Sequence, residues 1–176
     1  ERAAARAAIE VDGANPDAAI RSLQAHLRPG MRLALDVGRV VASYAGQLAI
    51  PRDVPVHLPG GPETTGGGVP SGIAAKLGAP EHPAVVLTDE CAIQSSGLAE
   101  LATVAERWRQ WRDPRFIVAV FHDAASAVPF AAYARLLGLD GFTVETSREL
   151  DGAWRRAFSA DRPAVLQIRT AAQVAG

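Results

Sequence analysis

Two aspartates carry the clearest chemistry in this sequence. Asp89 closes the apolar run Ala84-Val85-Val86-Leu87, and Asp123 closes a second run that begins at Phe116. Carboxylates ending neighbouring apolar runs can hold a hard divalent cation, and Mg²⁺ is normally bound by one or two such groups together with phosphate oxygens. A helix starting after Asp89 would turn backbone N–H groups towards those phosphates. The same aspartates would equally serve as caps for the helices that follow them, and two residues alone leave both readings open. Residues 59–68 hold five of the sixteen glycines, which permit close backbone approach or positive φ, as a plain surface loop also would. Neither the dinucleotide fingerprint nor a Walker-type loop occurs.

Other reactive side chains are less well placed. His57 and His122 end apolar runs, where either could move a proton near neutral pH. His26 and His82 read as solvent-exposed. Cys91 stands beside a helix start, a setting that can activate a thiol, but reads as a small buried side chain. No Ser-His-Asp arrangement follows from the spacing. Trp108 and Trp111, set among Arg107, Arg109, Arg112 and Arg115, read as a solvated helix end whose tryptophans face a partner domain.

The elements that must position these residues alternate between helical and strand periods. Helices are expected over residues 16–28, with Asn15 as N-cap and Pro16 in the first turn, and over 39–48, 70–77, 96–109, 130–137 and 147–158. Strands are expected over 32–37, 54–58, 84–87, 116–121, 142–144 and 164–168. The continuous apolar runs suit strands buried on both faces. The expected fold class is therefore α/β, a six-stranded, mostly parallel sheet with helices on both faces. Ligands of open parallel sheets bind outside the carboxyl ends of the strands. That edge collects Asp36-Val37-Gly38, the glycine loop, Thr88-Asp89-Glu90-Cys91 and His122-Asp123-Ala124.

Composition narrows the classes further. The chain has 176 residues, 48% hydrophobic and 21% charged, with a formal net charge of −1. That suits one domain with a sizeable core, read as residues 14–176 behind a tail or interdomain connection over 1–13. Near-neutral charge without a basic stripe argues against a nucleic-acid partner. One cysteine excludes a disulfide framework. No apolar stretch is long enough to span a membrane, and residues 1–10 lack the apolar centre of a signal peptide. A cytoplasmic location is expected.

The ordered series of segments resembles the C-terminal, diphosphate-binding domain of thiamine-diphosphate enzymes such as acetolactate synthase, pyruvate oxidase and 2-oxoacid decarboxylases. Asp36-Val37-Gly38 is similar to the family's Asp-(Val/Ile)-Gly. Residues 66–76, Gly-Gly-Gly-Val-Pro-Ser-Gly-Ile-Ala-Ala-Lys, follow its Met-Gly-x-Gly-(Leu/Ile)-Pro-Ala-Ala-Ile-Gly-Ala-Lys. His82-Pro83 opens the strand that leads to Thr88-Asp89-Glu90, in the place of Gly-Asp-Gly. Glu100-Leu101-Ala102-Thr103 repeats a family helix, and His122-Asp123 stands for its Asn-Asn.

The resemblance implies a thiamine-diphosphate-binding fold, with thiamine diphosphate and Mg²⁺ as cofactors. Asp89, Asp123 and the carbonyl of Ala125 would be the metal ligands. Asp36, Gly38, Thr65, Gly66, Thr88, Asp89, Glu90, Cys91, His122 and Asp123 would line the cofactor. The implied activity is that of a lyase or transferase acting on 2-oxoacids. A pyrimidine-binding domain or subunit would complete it, so this chain alone would not be catalytically competent. Homo-oligomerisation is expected through the helices near 70–77 and 98–108.

Departures from the family's pattern mark the site. Thr88 and Glu90 replace glycines, Thr65 replaces an apolar residue, Asp123 replaces an asparagine, and the interval from Asp89 to Asp123 is lengthened through residues 107–114. Glu90 would oppose a diphosphate by on the order of 3 kcal/mol per charge pair at ~5 Å and an effective dielectric of ~20. The alternative is a degenerate, non-catalytic structural or dimerisation module of the same fold.

Overall fold

A computed structural model describes residues 13–38, 41, 45–60, 65–123, 126 and 128–170. The strands are β1 (Arg32–Leu35), β2 (Val56–His57), β3 (Ala84–Asp89), β4 (Phe116–His122), β5 (Asp140–Val144) and β6 (Ala164–Arg169). They form one sheet in the order β2-β1-β3-β4-β6-β5, with every neighbouring pair parallel. The helices are α1 (Pro16–Gln24), α2 (Gly68–Gly78), α3 (Leu98–Arg107), α4 (Phe130–Leu136) and α5 (Leu150–Ser159).

Side chains alternate across a strand, and that period of two sorts the core into two layers. Leu33, Leu35, Val85, Leu87, Ile117, Ala119, Phe121, Leu166 and Ile168 face α1 and α5. Ala34, Val86, Val118, Val120 and Val165 face α2, α3 and α4. The central strands are buried throughout, as expected for a parallel sheet covered on both faces.

Several element ends differ from the sequence expectation for identifiable reasons. Asn15 caps α1 through hydrogen bonds from the N–H groups of Asp17 and Ala18. The helix stops at Gln24, not residue 28, and the Gln24 amide pairs with both backbone groups of Ala49 (2.6 and 2.8 Å). Helical structure after β3 starts at Glu90, not near 96, because Asp89 Oδ1 accepts the Ala92 N–H at 3.0 Å and caps the first turn. A π-helical turn, Ile93–Gly97, then leads into α3. β2 is shorter than expected, with Pro55 and Pro59 flanking it; a proline cannot donate to a ladder. Within the expected helix 39–48, Ala45–Gln47 forms a 3₁₀ turn, while residues 39, 40 and 42–44 lie outside the described residues, as do 1–12 and 61–64.

The amino-terminal edge of the sheet is closed by a polar bolt. α2 lies close to the sheet at Gly72, where a Cβ would meet Val86 Cγ2 at 2.5 Å. One turn later Lys76 is fully buried. Its Nζ donates to the His82 carbonyl and lies 5.6 Å from the centroid of the Trp111 ring. Burial pushes Lys76 down to about 8, against the pull of nearby Asp113. Burial likewise pushes Asp113 up, but the hydrogen bonds and charge of Arg115 outweigh it and hold the carboxyl below its ordinary value. The tryptophans therefore serve this domain's own core. Trp111 is buried against Phe116, and Trp108 packs at the margin of the same layer. His26 is also less exposed than expected, stacked on Phe158 and 3.3 Å from Asp151.

Candidate functional site

The strand order places a topological switch between β1 and β3. From β1 the chain passes to β2 on one side, whereas β3 leads to β4 on the other. Ligands of open parallel sheets bind in the crevice outside such strand ends. Here that crevice is bordered by Asp36-Val37-Gly38, the loop Thr65-Gly66-Gly67, Asp89 with the turn after it, and His122-Asp123.

Asp36, 4% exposed, organises the loop. Its carboxylate accepts hydrogen bonds from the N–H groups of Val37 (2.9 Å), Gly66 (3.1 Å) and Gly68 (3.1 Å), and from Thr88 Oγ1 (3.0 Å). Glycine is required where the loop turns: Gly66 has φ +88°, and a Cβ there would meet Ala92 O and Ser96 Oγ at 2.6 Å. Ser96 donates to the Gly66 carbonyl at 2.7 Å, tying the π turn to the loop. Thr88, fully buried, anchors Asp36 through its hydroxyl.

Asp89 is 5% exposed. Besides capping through Oδ1, it lies against Gly38, where a Cβ would stand 2.1 Å from Oδ2. Gly38 thus makes room for this carboxylate. Asp123 is exposed on the adjoining strand end. Asp89 is in register with Phe121, so both aspartates leave the same edge of strands ~4.8 Å apart. Glu90 extends to the segment after β4, where Ser126 Oγ donates to its Oε1 at 2.5 Å.

The remaining expected residues divide. His122 is 6% exposed at the end of β4. Its Nδ1 is 2.8 Å from the Asp123 carbonyl, which can only accept, so the proton sits on Nδ1. Nε2 is buried with no hydrogen-bond partner among the described residues. His57 ends β2, two strands away from β3. Cys91 is exposed, not buried, because the turn it occupies presents Ala92 and Ile93 to the core instead. Thr65 is exposed and Gly66 buried. Ala125 lies outside the described residues. Spacing did not point to Ser126 or Ser96, since both act through contacts between segments 36 and 30 residues apart.

No group of three or more His, Cys, Asp or Glu side chains poised for a metal occurs among the described residues. The donor set fits Mg²⁺ nonetheless, because that ion takes one or two carboxylates plus substrate phosphates in place of an all-protein cage. Asp89 and Asp123 are the carboxylates that would meet such an ion at this edge.

Residues 36–168 match the family described as thiamine pyrophosphate enzyme, C-terminal TPP binding domain. No curated protein sequence matches the chain. Among solved structures, it is similar to a thiamine diphosphate-dependent 4-hydroxybenzoylformate decarboxylase of Rhodococcus jostii RHA1. The TM-score is 0.77 at 15% identity, over 93% of this chain and 34% of that one. The likeness is one of fold, and this chain spans about a third of that protein's length.

Proposed function

This chain belongs to the C-terminal TPP-binding domains of thiamine pyrophosphate enzymes, and on that premise we propose that it holds the diphosphate end of thiamine diphosphate through Mg²⁺. The observation that carries this reading is the pair Asp89 and Asp123 on adjacent strand ends beside the glycine loop. Asp89, with His122-Asp123 across from it, would fix the cation. The Asp36-anchored loop would hold Gly66 and Gly67 close to the cofactor. Backbone N–H groups of Glu90 and Cys91 would meet diphosphate oxygens at the start of the helical turn.

The cofactor, when bound, supplies the carbanion that attacks a carbonyl and the electron sink for the bond then broken. A lyase or transferase acting on 2-oxoacids is the activity we assign to the complete enzyme, with a pyrimidine-binding domain or subunit covering the other end of the cofactor. The chain's own contribution is positioning and charge neutralisation.

The test is a calorimetric titration with thiamine diphosphate in the presence and absence of Mg²⁺, comparing the parent chain with Asp89→Asn. Asparagine keeps an oxygen for the Ala92 N–H, so the cap survives while the charge goes. Mg²⁺-dependent binding that disappears in Asp89→Asn is the expected result. Identical affinity in both proteins would remove Asp89 from the site. No binding in either would favour the degenerate structural module, a reading supported by the fixed carboxylate of Glu90 at this edge.

A further inference from the structure

Glu90 brings a third carboxylate to the edge that carries Asp89 and Asp123, and its position is fixed. Ser126 Oγ donates to Glu90 Oε1 at 2.5 Å, and Gln94 Nε2 donates to the same oxygen at 3.2 Å. Ser126 is itself pinned. Its N–H bonds to the Asp123 carbonyl at 3.3 Å, and its hydroxyl oxygen accepts the Val128 N–H at 3.3 Å. The contact therefore joins the segment after β3 to the segment after β4, the two segments whose aspartates would hold the cation.

We propose that Ser126 is an autoinhibitory clasp: its hydroxyl holds the Glu90 carboxylate across the β3–β4 edge, where the charge opposes a diphosphate. The inference rests on the cofactor reading above. A glutamate loose on a helix surface turns to water and is screened by salt. A carboxylate held half-buried by a pinned hydroxyl keeps its charge facing one place. Opening the clasp and neutralising the carboxylate should then have the same effect by different routes.

Titration of the full chain with thiamine diphosphate at saturating Mg²⁺ tests this. Ser126→Ala removes the clasp, and Glu90→Gln keeps a hydrogen-bond acceptor while removing the charge. Each should tighten binding by about tenfold or more, and the double variant should gain no more than either alone. Ser126→Thr retains the hydroxyl and should match the parent, with thermal unfolding verifying that each variant is folded. Binding that depends on Asp89 but is unchanged or weakened in Ser126→Ala overturns the clasp and leaves the cofactor reading standing. Additive effects of the two substitutions overturn it as well. Absence of binding in the parent and in every variant overturns both.

Discussion

Asp36 accepts four hydrogen bonds, three of them from buried partners. Asp36→Ala would strand Gly66 N–H, Gly68 N–H and Thr88 Oγ1 without an acceptor. Each abandoned buried donor costs ~1–3 kcal/mol, so a loss of at least ~3 kcal/mol is expected in urea unfolding. A loss below ~1 kcal/mol would show that the loop is held by something else. At this scale the sequence marked residues that the fold gathers at one edge, without their division of labour. Asp36 stands in the chain as one carboxylate before a valine and a glycine. Only the approach of residues 66–68 and 88 turns it into the anchor of the loop. Asp89 likewise proves to be a cap, which was one of its two readings, and the cap leaves its role as cation ligand to be tested.

Among the elements, α2 carries the sharpest consequence, because it buries Lys76 with no carboxylate in salt-bridge contact among the described residues. The groups facing the ammonium are Asp113, Arg115 and Glu81, besides the His82 carbonyl and the Trp111 ring. Burial lowers Lys76 from 10.5 to about 8. Between those values the unfolded chain keeps a proton that the folded chain has released. Stability contributed at this position therefore rises with pH from about 8 to 10.5 and is constant below that window. The gain is on the order of 2–3 kcal/mol. Urea midpoints measured from pH 7 to 10.5 should show this rise relative to Lys76→Met, whose own profile lacks it. Parallel profiles would mean that the ammonium is solvated. The sequence Gly-Val-Pro-Ser-Gly-Ile-Ala-Ala-Lys carries no local sign that its lysine is buried. Its burial is decided by Trp111 and the 79–83 turn, which fold over the amino-terminal edge.

For the whole molecule, the helices expected to offer a partner surface prove to be partly committed. The small-residue side of α2 lies on Val86 and Phe116, and Leu101 and Val104 of α3 are buried in the same layer. Among the described residues, the large apolar side chains left exposed are Val56, Leu58, Leu77 and Leu136. Self-association is expected from the sequence through the helices near 70–77 and 98–108, of which only Leu77 is among these exposed side chains, and we propose it through the exposed set. Sedimentation at low micromolar concentration should show a dimer or larger species, weakened in Leu77→Ser or Leu136→Ser. A strict monomer would instead favour a stand-alone module. No helix among the described residues is long and apolar enough to cross a membrane.

The sequence by itself determined the alternation of helix and strand, the burial of β3 and β4, and the collection of Asp36, Asp89 and Asp123 at one edge. Those features follow from local period and from the direction of parallel strands, and each can be read within a window of about ten residues. The tertiary structure alone decided the strand order, the anchoring of the glycine loop, the burial of Lys76 and the bond from Ser126 to Glu90. Each of these joins segments that are separate in the chain or turns on which neighbour covers a side chain. A linear pattern carries no such information until the sheet has set its neighbours side by side.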